Sequence, residues 1–201
     1  MRTRIIFFII IIGLILIGGL WLLPRQANHN NQKIKNPSLL SNLNFAQKQG
    51  EKRYFMKFSS SAFKDNSNIP FKYSCDGDDI NPPLQISDVP KGAASLALIV
   101  DDPDAPAGDW VHWLVWNIAP DTTEIVENSV PNGAVQGLTD FGKNQWGGPC
   151  PPSGRHHYQF KLYALDTNLG LDSSAKKKDL QGVMQGHILD QAILVGLYQR
   201  K

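Results

Sequence analysis

The sequence predicts a mainly β domain, a β-rich α+β fold, carried behind an apolar and basic amino-terminal stretch. Three observations point there. Residues 51–201 are built from short apolar runs broken by turn residues, one of those runs alternates strictly with period two, and a single late stretch carries helix-start residues. These 151 residues suffice for one hydrophobic core. The run Ser95–Val100 (SLALIV) reads as a strand buried on both faces, ended by Asp101, Asp102 and Pro103. Trp110–Asn117 (WVHWLVWN) is aromatic and β-branched, the composition of a second strand. His157–Ala164 places Tyr158, Phe160, Leu162 and Ala164 on one face and His157, Gln159, Lys161 and Tyr163 on the other. Ala192–Tyr198 is a fourth strand. A helix is expected over about Ser174–Gly186, opened by Asp172, Ser173 or Ser174 as caps. Prolines and glycines punctuate the rest, and no repeat occurs.

The charge is unevenly placed. Residues 1–50 hold six basic side chains and no acidic one, whereas residues 51–201 hold fourteen basic and eighteen acidic, a net of −4. An acidic domain argues against nucleic acid as a partner, because phosphate backbones reward basic surfaces. Ile5–Leu23 is an uncharged stretch of nineteen residues, nearly enough at 1.5 Å each to span a hydrocarbon core of roughly 30 Å. Arg2 and Arg4 precede it and Trp21 sits near its far end, so residues 1–23 read as a transmembrane anchor or signal segment. Residues 24–50, rich in Asn and Gln, read as a polar linker to the domain at 51–201. The expected localisation is a membrane-anchored chain with an extracytoplasmic domain (periplasmic in a Gram-negative cell). The alternative is secretion after signal cleavage.

Candidate chemistry gathers at three places: Asp101, Asp102 and Asp104 after the first strand, His112 inside the second, and Arg155, His156 and His157 after a Gly/Pro loop. A turn with capping carboxylates, an interior histidine and surface polar groups would explain each one singly. Asp102 and His112 flank a loop of hairpin size, so strand ends can bring them together. No local zinc-ligand spacing, nucleophile elbow, phosphate-binding glycine loop or dinucleotide motif occurs. Cys150 with His156 could form a thiol dyad, but Pro149 and Pro151 point to a rigid structural loop. The residues describe a small polar pocket without evident catalytic machinery and without a cofactor. In an exported chain Cys75 and Cys150 could form a disulfide, or remain two buried thiols.

Asp102-Pro-Asp-Ala-Pro106, Trp110-Val-His-Trp-Leu-Val115, and Gly148-Pro149 followed by His156-His157-Tyr158 resemble the phosphatidylethanolamine-binding protein family. Cys75-Asp-Gly77, Asn81-Pro-Pro83 and Gly147-Gly-Pro-Cys-Pro-Pro152 are similar to its bacterial YbhB/YbcL branch, known as Raf-kinase-inhibitor-like. The resemblance implies a large antiparallel sheet packed on a second, smaller one, with a carboxy-terminal helix near a pocket mouth. It implies a ligand site at Asp102, Asp104, His112, Gly148, Pro149, His156 and Tyr158, taking a phosphate-like anion or a phospholipid headgroup. His157 stands where arginine is often found, and the short loop from Ala107 to Asp109 lacks the tyrosine of animal members. Asp102 would orient a histidine rather than touch the anion. Some members regulate kinases or inhibit proteases by contacting a partner protein, unidentified here. The alternative is a hydrolase-like enzyme on a phosphorylated or ester substrate, with His112 and His156 as acid and base.

Overall fold

The computed structural model describes residues 55–200. The strands run β1 (Lys57–Ser59), β2 (Ser67–Asn68), β3 (Leu84–Ser87), β4 (Ser95–Asp102), β5 (Trp110–Ile118), β6 (Glu124–Ile125), β7 (Val135–Gln136), β8 (Arg155–Leu165) and β9 (Ile188–Gln199). A 3-10 turn covers Phe71–Tyr73, and an α-helix, α1 (Lys177–Met184), precedes β9. All four strands read from the sequence form, and they are the neighbours β9-β8-β4-β5 at the centre of a six-stranded sheet completed by β2 and β7. The sheet is antiparallel except where β2 runs parallel to β9. Strands β1, β3 and β6 make a second, three-stranded antiparallel sheet.

The two faces of the large sheet bury different side chains. Leu96, Leu98 and Val100 of β4, with Tyr158, Phe160, Leu162 and Ala164 of β8, share a core with Phe58, Leu84, Ile86 and Ile125 of the small sheet. Ala97 and Ile99 of β4 turn the other way and pack with Leu114, Trp116, Leu165, Leu180 and Met184. Every residue of β4 is therefore buried, which is why its sequence shows no polar alternation. β8 is covered on one face, hence its period of two.

Helix α1 is shorter than the expected 174–186. The Asp172 carboxylate accepts the Ser174 N–H at 2.8 Å and the Ser174 hydroxyl at 2.5 Å, closing a local turn instead of capping a helix. The helix begins after Lys176, whose N–H donates to Asp179 at 2.9 Å, and stops before Gly186 at φ +82°. The carboxy-terminal helix implied by the resemblance is thus the penultimate element. Its apolar face lies on the core away from the small sheet.

The expected transmembrane helix and signal anchor require correction. Among the described residues no helix is long and apolar enough to cross a membrane. A span needs about 20 apolar residues, whereas α1 has eight and is part of the core. The segments read over 1–23 and 24–50 lie outside the described residues. Membrane anchoring and the extracytoplasmic localisation built on it are accordingly withdrawn.

Candidate functional site

Strand order assembles the site. β4 lies between β5 and β8, so its end at Asp102 sits beside the start of both. Asp102 pairs with Trp110 of β5, and Asp101 pairs with Gln159 of β8. The ladder between β4 and β5 slips at this point, pairing Val100 with Trp113 and then Asp101 with Val111. His112 is the extra residue, a β-bulge that keeps Val111 toward one core and Trp113 toward the other. Freed from the β4 ladder, its carbonyl accepts the Gly147 N–H at 3.0 Å.

The His112 ring is buried, and its Nδ1 lies 2.6 Å from the Gly147 carbonyl. A carbonyl only accepts, so Nδ1 carries the proton and Nε2 has no partner among the described residues. Burial pushes the His112 pKa down, against an opposing effect of the Gly147 carbonyl and the charge of Asp102. The free ring is therefore neutral near pH 7. His156 is arranged in parallel: its Nδ1 donates to Asp102 at 2.8 Å, both groups are buried, and its Nε2 is likewise unpartnered among the described residues. The other Asp102 oxygen accepts the Asp104 N–H at 2.9 Å. Tyr158, two residues along β8 on the same face, sets its ring edge-on to His112 with centroids 5.1 Å apart. It is 1% exposed. Burial, then the Asp102 charge and the nearness of its carboxylate, push the Tyr158 pKa up against the Cys150 backbone; both groups lie close to the hydroxyl, although neither meets it in hydrogen-bonding geometry.

The Gly147–Cys150 loop walls this cluster. A Cβ on Gly148 would stand 2.4 Å from the Tyr73 carbonyl oxygen, so only glycine lets the loop approach so closely. The Gly148 N–H donates to Asp79 at 2.6 Å and the Pro149 carbonyl accepts from Cys75 N–H at 3.2 Å, so both groups are engaged within the protein. Cys75 and Cys150 are joined in a disulfide, Cα atoms 5.5 Å apart. Phe141 packs edge-on against His112 at 5.2 Å. With Lys143, Gly147 and Gly148 it lines a cavity of about 210 Å³ that also touches both cysteines. Asp79, Phe141 and Lys143 were not anticipated; Asp79 follows the Cys75-Asp-Gly77 motif, whereas nothing in the sequence marks Phe141.

Asp104 stands apart from the cluster. Its carboxylate is exposed and accepts both the N–H and the Nδ1–H of His157, at 2.8 and 2.6 Å, which holds its pKa below the usual carboxylate range. Asp101 points to the opposite face from Asp102, fully buried, and binds Lys161 at 2.8 Å and Lys177 of α1 at 2.6 Å. Lys177 also reaches Asp109, which ties the helix to the loop after β4. Among the described residues no three His, Cys, Asp or Glu side chains are placed to hold a metal ion.

A bulged histidine, a histidine–aspartate pair and a buried tyrosine thus meet at the strand ends of a two-sheet domain. The chain belongs to the phosphatidylethanolamine-binding protein family, whose sequence model matches residues 59–199. It is 51% identical over 150 residues to a UPF0098 protein of Methanothermobacter thermautotrophicus, covering 72% of this chain and 99% of that one. A UPF0098 protein of Chlamydia muridarum is 44% identical over 150 residues, covering 72% of this chain and 99% of its own. Among solved structures, the family homologue CT736 of Chlamydia trachomatis superposes with a TM-score of 0.71 at 42% identity, over 74% of this chain and all of that one. YbcL of Escherichia coli, a member of the mammalian family, gives 0.70 at 33% identity over the same shares.

Proposed function

We propose that the His112–His156–Tyr158 cluster receives a phosphate-like anion, free or as a phospholipid headgroup, and that the protein works by binding rather than turnover. The observation that carries this reading is that two imidazoles, His112 and His156, present Nε2 atoms with no partner among the described residues beside the buried Tyr158 hydroxyl, which lies close to Asp102 and the Cys150 backbone without hydrogen-bonding geometry to either. An incoming acceptor oxygen would complete the hydrogen bonding of these donors. Asp102 accepts the His156 Nδ1–H and so fixes the ring with its Nε2 turned toward the ligand. His112 is neutral when free, so an anion without protons draws one onto its Nε2. Binding over turnover is supported by the cysteines, which are joined to each other and offer no thiol nucleophile to His156.

The test is a titration of the full chain with sulfate and with glycerophosphoethanolamine between pH 5 and 8, read on the histidine ring signals by NMR. Sulfate carries no proton in this range, so its affinity should rise as pH falls, by at most about tenfold per unit for each proton taken up. Preference for glycerophosphoethanolamine would assign the site to headgroups rather than free anions. Asp102→Ala should weaken both ligands. Unchanged or tighter binding would refute the orienting role, and silence of both ring signals at every pH would refute the site.

A further inference from the structure

Where β8 begins and β9 ends, the structure holds a cavity of about 360 Å³ that the site above does not use. Asn68, Phe71, Arg155, Leu197, Gln199 and Arg200 are among its walls. Arg155 and His156 are consecutive in a strand and so project to opposite faces of the sheet. The Arg155 guanidinium is exposed and makes no hydrogen bond or ion pair among the described residues. Arg200 is held differently. Its Nε and Nη2 donate to Asp76 at 3.0 and 2.8 Å, and Asp76 also accepts the Tyr198 hydroxyl at 2.9 Å. That arrangement leaves Nη1 of a fixed guanidinium without a partner among the described residues. The same cavity is lined by apolar groups: Phe71 is 56% exposed and Leu197 is half-buried.

Among the described residues, one charge in this cavity is thus compensated by Asp76 and one is not. A single negative charge completes the balance, and an arginine fork matches the paired oxygens of a carboxylate or phosphate. The Phe71 ring and the Leu197 side chain offer an apolar body a place to lie, and the volume falls near the lower end for small-molecule sites. We propose that this cavity is a second ligand site, for a small organic anion carrying an apolar group, with Arg155 as its principal anchor. Inorganic phosphate satisfies only half of this description and should bind weakly there. The inference does not depend on the histidine site.

The test is a titration of the ¹⁵N-labelled full chain with phenyl phosphate, benzoate and inorganic phosphate, followed on backbone amides. Phenyl phosphate or benzoate should produce saturable shifts at residues 68–72 and 197–200, with inorganic phosphate at least about tenfold weaker at those positions. Benzoate alone would make it a carboxylate site, phenyl phosphate alone a phosphate-ester site. Arg155→Gln, an exposed change that leaves the core untouched, should lower the affinity about tenfold or more. Shifts confined to the surroundings of His112 and His156, no saturable shift at residues 68–72, or an unaffected Arg155→Gln variant would each overturn the proposal.

Discussion

The Cys75–Cys150 bond joins positions 75 residues apart and clasps the Gly147–Cys150 loop to the turn that follows the 3-10 segment. Replacing both cysteines by serine removes the link without leaving an unpaired thiol. In the loop-entropy description, closing 75 residues lowers the entropy of the unfolded chain by about 15 cal/mol/K, or about 4.5 kcal/mol at 25 °C. The backbone bond from Cys75 N–H to the Pro149 carbonyl and the Gly148–Asp79 contact survive the change, so the native fold itself should be retained. With a urea dependence of about 2 kcal/mol/M, the unfolding midpoint should fall by about 2 M. Equilibrium urea unfolding of the full chain, followed by tryptophan fluorescence and far-UV circular dichroism, measures this directly. A fall of less than about 0.5 M would refute the reasoning, since the unfolded chain would then already be restrained without the crosslink.

Two further outcomes are expected. Asp101→Asn leaves Lys161 and Lys177 facing a neutral amide in a partly dry setting and should destabilise the fold by about 3 kcal/mol; a loss under about 1 kcal/mol, again by urea, would mean that both lysines swing out to water at no cost. Because His112 has a lower pKa folded than unfolded, the unfolded chain binds more protons just below its ordinary value of about 6.5. Stability should therefore drop as pH falls from 7 toward 5, with a slope of at most about 1.4 kcal/mol per unit from this residue. His112→Gln should flatten that slope, and an unaltered pH profile in the variant would count against a buried neutral ring.

The long strands were legible because each is long enough for its burial pattern to show. β8 alternates, β4 does not, and both patterns follow from which faces other elements cover. Strands β2, β6 and β7 have two residues each, too few for any period, and exist only because a longer neighbour offers a free edge. The helix start was misplaced because Asp172 and Ser174 bond each other, a local alternative that composition does not distinguish from a cap. At the site, motif spacing brought Asp102, His112 and His156 into view. It could not separate Asp102 from Asp104, since both lie in one turn and only the fold decides that the first is buried on His156 and the second exposed on His157. Nor could it place Phe141 against His112, a contact between distant segments without a local signature.

The bulge at His112 separates scaffold from site. With that residue removed, Val111, Trp113, Leu114 and Val115 would alternate without interruption between the two cores, as an ordinary strand requires. The β4–β5 ladder itself therefore has no need of residue 112, whose carbonyl and ring instead hold the Gly147 loop. Its side chain answers to the Gly147 carbonyl, Phe141 and Tyr158 rather than to the strand pairing. A change at this one position therefore reaches the loop and the site while the pairing partners of the strand stay in place.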